Sequence, residues 1–253
     1  MKDNIIFDYI KNCEEEYKEF LRTSYFPPYE IVLKELNLEK AENKGFDSWA
    51  TALYTISTGQ HRLEIWDKLH TLGSTGKYIV FHELTHILDD EEFVEKDNKQ
   101  YVANHGYTEY HASQVELLQM LGVKHQNEDI RFSENDMLNT VGGMKTVKEF
   151  TEFPHNIAND LINRNDFPAD IETLKTTLGL IFNYYGRRSI CKMHADYYTD
   201  DADNSVIARL IYPQTVDFLN RFMTGWFDYS KVDIINQLYF KMIISLIQKY
   251  HLE

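Results

Sequence analysis

Tyr78-Ile79-Val80-Phe81-His82-Glu83-Leu84-Thr85-His86-Ile87-Leu88 is the stretch from which the rest of the chain can be read. Across residues 79–88 the only polar side chains are those of His82, Glu83, Thr85 and His86. A helix apolar nearly all round belongs in an interior. Residues four apart share a helix face, so both imidazoles can reach one ion while Glu83 stays beside it. Burying an ionised Glu between two imidazoles is costly unless a charge compensates, and a bound dication supplies that charge. The spacing is that of two zinc ligands with a general base between them. The competing reading is a core helix whose two histidines are merely hydrogen-bonded.

Two histidines are too few, because a catalytic zinc takes three protein ligands and leaves a fourth position for water. The third is expected from a separate downstream helix beginning near Gly106, on which Glu109, Ala112, Ser113, Glu116 and Met120 share one face. Small residues beside a carboxylate suit close packing against the first helix. Glu109 is the expected third ligand, and Glu116, two turns on, is the alternative. His105 and His111 stand outside, His111 falling off the Glu109 face.

The HELTH motif, followed by a helix with a Glu ligand, resembles the gluzincins, in which Glu replaces the third His. Within them, Glu109 followed by Ala112 looks most like the ImmA/IrrE metallopeptidases of phages and mobile elements. The resemblance covers about residues 50–122 and implies His82, His86 and Glu109 as ligands of Zn2+, with Glu83 as base. In the thermolysin group an Asp sits four residues after the Glu ligand; here that position is Ser113. The expected activity is hydrolysis of peptide bonds through a metal-activated water, as narrow-specificity cleavage of a peptide or protein substrate such as a regulatory protein. The alternative is a catalytically weak or inactive helical interaction protein that keeps a zincin fold.

An oxyanion donor is also needed. Candidates are Tyr107 and Tyr110 near the third ligand, and the distal set Tyr184, Tyr185, Arg187, Arg188 and His194, the last close to Asp196. Aromatic residues make up 14% of the chain, so packing is the competing role for each tyrosine. Asp89 and Asp90 either orient a ligand imidazole or form a solvated helix end.

Upstream, residues 52–57 and 61–66 are short β-favouring runs separated by Thr58-Gly59-Gln60, which predicts a β-hairpin whose edge could pair with an extended peptide. Gly73-Ser74-Thr75-Gly76 leads into the HELTH helix with Ser74 or Thr75 as cap. Ile6, Ile10, Cys13, Tyr17 and Phe20 form a helical stripe capped by Asp3 or Asn4, and a second helix is expected after Pro27-Pro28 to about Glu42. The polar run 126–145, containing Gly142-Gly143, divides the chain into a zincin-like domain, 1–125, and a helical lobe, 126–253. In the lobe helices are expected near 154–164, 170–185, 187–198, 205–224 with a break at Pro213, and 231–250 opened by Ser230 with Asp233 three residues on. The fold class is therefore α+β and predominantly helical, with a small antiparallel sheet beside the HELTH helix.

At 253 residues, 43% hydrophobic and 26% charged, the chain has ordinary globular composition. A formal charge of −14 without a basic stripe argues against nucleic-acid binding. No signal-like segment or membrane-length apolar run is read, so the expectation is a cytoplasmic protein with no membrane partner. Cys13 and Cys191 give no disulfide framework, and Cys191-Lys192-Met193-His194 lacks the partner pair of a zinc site.

Overall fold

A computed structural model describes residues 2–36 and 49–252. Helix α1 (Lys2–Leu21) buries the whole expected stripe, Ile6, Ile10, Cys13, Tyr17 and Phe20. Its expected side-chain caps, Asp3 or Asn4, lie outside the described side chains. The segment after Pro27-Pro28 is not a helix: Tyr29–Lys34 is strand β1. The β-branched Ile31 and Val32 suit a pleated surface, and β1 gains a parallel partner that the local sequence does not reveal. The remainder of that expected helix, 37–42, lies outside the described residues.

Strands β2 (Ala50–Thr55) and β3 (Gln60–Trp66) form the expected antiparallel hairpin. Its turn is closed by Thr58 N–H and Gly59 N–H, both donating to Thr55 O, with Gly59 at φ +72°. The sheet order is β1-β3-β2, which leaves one side of β2 open among the described residues. A 3-10 turn, Leu69–Gly76, leads into α2 (Lys77–Phe93), the HELTH helix. Neither Ser74 nor Thr75 caps it; Gly76 stands at the cap without a side-chain bond, and Thr75 Oγ1 instead accepts from Asn139 Nδ2 at 3.0 Å. Helix α3 (Asn98–Met120) is capped by Asp97, which accepts from Gln100 N–H at 2.8 Å.

The polar run after 126 contains a second hairpin, β4 (Met137–Thr140) with β5 (Gly143–Thr146). Helix α4 (Val147–Ile162) starts seven residues before the expected position, because Thr146 and Glu149 close a capping box, and it runs on through Pro154. The two helices expected on either side of residue 186 are one, α5 (Ile171–His194). Gly186 is kept inside it by packing: a Cβ there would lie 2.2 Å from Tyr110 O of α3. The break at Pro213 is present between α6 (Ser205–Ile211) and α7 (Pro213–Phe222). Helix α8 (Tyr229–Tyr250) is capped by Asp228, not Ser230. None of the described helices is long and apolar enough to cross a membrane.

Two apolar clusters hold these elements. The first joins α1, the three-stranded sheet and α2, and includes the edge-to-face rings of Tyr17 and Phe81, 5.3 Å apart, together with Val147, Phe150 and Ile190. The second joins α5 to α8 with Ala158 and Leu161 of α4, and includes Tyr107 and Tyr110 of α3. Neither stays on one side of residue 125.

Candidate metal centre

Helices α2 and α3 meet along a polar seam buried between the clusters. The rings of His82 and His86, one turn apart on α2, have centroids 4.7 Å apart. From α3, Glu109 places Oε2 3.7 Å from His82 Nε2 and 3.9 Å from His86 Nε2. One donor atom from each of the three lies within 4.8 Å of the others, so the group could hold a metal ion.

The other ring nitrogens test whether the residues suit a metal. His86 Nδ1 lies 2.8 Å from Thr108 Oγ1, and His82 Nδ1 lies 3.4 Å from Glu116 Oε2. With the imidazole protons at Nδ1, both Nε2 lone pairs face Glu109, as a ligand set requires. Charge points the same way. Burial opposes a proton on His82, but Glu109 and Glu116 outweigh it and lift its pKa to about 10; burial pushes His86 down to about 3. Burial also opposes ionisation of Glu109, yet the imidazoles of His82 and His86 hold its carboxyl below the usual range. The pocket thus favours a cation between its carboxylates, and a dication would displace the His82 proton.

Glu83 lies between the histidines in sequence, and its Oε2 accepts from Ala52 N–H of β2 at 2.6 Å. Burial raises its pKa, opposed by His82 and the Ala52 amide. Ala52 N–H therefore points away from β3, and the open edge of β2 faces the site. A cleft of about 920 Å³ runs along that edge. Its far wall includes Lys175, Gly179, Asn183 and Arg187, spaced by four on one face of α5, with Phe150 and Phe153 of α4 and Tyr239 of α8. Gly179 is what lets α5 pass close to the centre: a Cβ there would lie 3.2 Å from Glu109 Oε1.

Glu116, the alternative third ligand, falls outside the metal-capable group. Its Oε2 accepts from Arg187 Nη2 at 2.9 Å, and the guanidinium lies 3.7 Å over the Phe150 ring and donates to Phe150 O. Glu116 backs His82 instead of standing beside it. Asp89 and Asp90 touch neither ligand imidazole and are not a solvated helix end. Both are buried: Asp89 pairs with His111 at 2.9 Å, and Asp90 accepts from Asn104 Nδ2 at 3.2 Å. His105 Nε2 approaches the far oxygen of Glu109, Oε1, at 3.8 Å.

Most of the oxyanion candidates are engaged elsewhere. Tyr107 stacks on His111, Tyr110 donates to Gly225 O, Tyr184 packs on His155, Tyr185 donates to Asn220, and Arg188 pairs with Asp200. His194, at the last turn of α5, and Asp196 are not among the cleft residues, whereas Arg187 is. Sequence reasoning overlooked Thr108, which no motif marks, and Tyr239, whose buried hydroxyl has no hydrogen-bond partner among the described residues. It also overlooked the Lys175-Gly179-Asn183-Arg187 face, whose helical spacing was visible.

No protein-family model matches the chain, and no curated protein or solved structure matches it either.

Proposed function

We propose that this chain is a zinc-dependent peptidase of narrow specificity. The observation carrying this reading is the convergence of His82 Nε2, His86 Nε2 and Glu109 Oε2 beside a base, Glu83, that reaches an open strand edge. His82, His86 and Glu109 would hold the ion. Zinc, when bound, acts as a Lewis acid and lowers the pKa of water to about 7. The carboxylate of Glu83 takes the proton from the attacking water and passes it to the departing amine. Burial of Glu83 makes it a stronger base than an exposed Glu. The outward N–H and C=O groups of β2 give an extended peptide a backbone partner, which places the scissile carbonyl beside Glu83.

A buried base serves hydrolysis and is superfluous in a purely structural site, which favours an enzyme over a binding module. Together with the likeness of residues 50–122 to ImmA/IrrE metallopeptidases, the recessed cleft supports cleavage of a specific regulatory protein in the cytoplasm. The test is elemental analysis and a mass-spectrometric cleavage screen on denatured proteins. Glu83→Gln should keep about one metal per chain and lose about 10²–10⁴-fold in turnover. His82→Ala should lose metal and turnover together. An active Glu83→Gln would refute the assignment of the base.

A further inference from the structure

Four consecutive acids stand near the end of α2, and three of them are engaged by a basic or hydroxyl group. Asp89 lies 2.9 Å from His111 Nδ1, Glu91 lies 3.1 Å from His61 Nε2, and Glu92 accepts from the Tyr229 hydroxyl. Asp90 differs. It is 8% exposed, and what holds its carboxylate is a neutral amide, Asn104 Nδ2, which donates to Oδ1 at 3.2 Å. Oδ2 has no hydrogen bond or ion pair among the described residues. Asn104 is wholly buried, and its own Oδ1 accepts from Asn236 Nδ2 of α8 at 3.5 Å, so the amide that holds Asp90 is fixed from behind.

Asp90 follows His82 and His86 on one face of α2 at the same spacing of four, which sets it about 6 Å along the helix axis beyond His86. It lines the cleft with them. A buried carboxylate without a cation costs stability, and in a cleft a ligand can supply that cation. The basic side chains of the cleft walls do not supply it. Arg187 pairs with Glu116, His105 Nε2 faces Glu109 Oε1, Lys145 lies 4.6 Å over the Phe153 ring, and Lys175 makes no ion pair among the described residues. A formal charge of −14 favours the approach of basic segments over acidic ones. Resting on the peptidase reading, we propose that Asp90 is the anion of a specificity subsite: its free carboxylate oxygen takes the ammonium or guanidinium of a Lys or Arg side chain of the substrate, one helical turn beyond the metal ligands.

A mass-spectrometric survey of denatured proteins cut by the zinc-loaded chain reads the residues around each scissile bond. One cleaved peptide is then resynthesised with Lys, Arg, Gln or norleucine at the position where basic residues are enriched. Assays at pH 8 keep Asp90 ionised, since burial pushes its carboxyl up only to about 7. The subsite requires Lys or Arg to raise kcat/KM about 10–100-fold over norleucine, and Asp90→Asn, which is isosteric, to abolish that ratio with zinc content unchanged. On wild type, n-butylguanidine should inhibit and n-butanol should not; equal inhibition by the two overturns the subsite. If wild type cleaves with no basic preference, or Asp90→Asn keeps the preference, the subsite is wrong while the peptidase stands. A preference that follows a free N-terminal amine and is lost on acetylation overturns the assignment to a side chain. If wild type takes up no zinc and cleaves nothing, the peptidase reading fails and the subsite falls with it.

Discussion

The two apolar clusters do different work for the same site. The first seats α2 against α1 and the sheet, which fixes His82, His86 and Glu83 relative to the edge of β2. The second seats α3 against α5 and α8, which fixes Glu109. The histidines therefore sit on a helix of the first core, while Glu109 sits on a helix that spans both, with Val115, Leu117 and Leu118 in the first and Tyr107 and Tyr110 in the second. The first core is joined by side chains, such as the Tyr17–Phe81 contact, while α3 and α5 approach backbone to side of helix at Gly186, where a Cβ would meet the Tyr110 carbonyl oxygen. Side-chain packing tolerates small shifts. A glycine seam does not, because an added methyl group meets main chain.

The largest way to break this division is Gly186→Ala. The new Cβ would lie 2.2 Å from Tyr110 O and 2.9 Å from Ser113 Cβ, so α3 and α5 must separate; about 3 kcal/mol or more of stability should be lost in urea unfolding. A loss below about 1 kcal/mol would mean that the seam is looser than the geometry shows.

Next is Asp90, whose carboxyl burial pushes up to about 7, with the Asn104 amide opposing. Its folded pKa exceeds the unfolded value of about 3.9, so its favourable contribution is complete below about pH 4 and is lost as pH rises through about 7. Asp90→Asn should therefore be more stable than the parent by about 2 kcal/mol at pH 8 and show little difference at pH 4. Melting curves at the two pH values check this; equal gains at both would exclude titration of Asp90 as the cause.

A smaller effect separates the cores functionally. Gly179→Ala brings a methyl group to 3.2 Å from Glu109 Oε1 and 3.4 Å from His105 Nε2, so the ligand must shift by a few tenths of an ångström. Zinc affinity should fall about tenfold with the fold intact, since ligand geometry is tightly constrained. Unchanged affinity on chelator titration would place Glu109 outside the ligand set. Smallest is Tyr17→Phe in the first core, which removes the 3.0 Å bond from Tyr17 Oη to Thr85 Oγ1. Thr85 still donates to Phe81 O, so about 1 kcal/mol of stability should go and zinc affinity should hold.

What could be read from the sequence follows the range of the forces involved. The α1 stripe, the HELTH helix, the β2–β3 hairpin and the break at Pro213 rest on periodicity or turn chemistry within a few residues, and all are present. The placement of Glu109 beside the two histidines was legible because small residues next to it implied close packing. The start of α4 was missed although Thr146-Val147-Lys148-Glu149 spells its capping box. β1 was missed because its partner β3 lies about thirty residues away. The continuity of α5 through Gly186 depends on a neighbouring backbone, and no local propensity encodes that. Glu116 looked like a ligand because its partner, Arg187, is 71 residues distant. A helix face shows which side chains can meet a metal, but not which are already engaged.

The open side of β2 has a consequence for how the protein behaves at high concentration. A strand whose edge has no neighbouring strand among the described residues can pair with an extended segment, including one from a second copy that is partly unfolded. Glu83, by taking up the Ala52 amide, plugs one of that edge's backbone groups within the recess between α2 and α5. The carboxylate proposed as the base is thus also a stopper on a sticky edge, and a variant shortened at Glu83 should be judged for self-association as well as for hydrolysis.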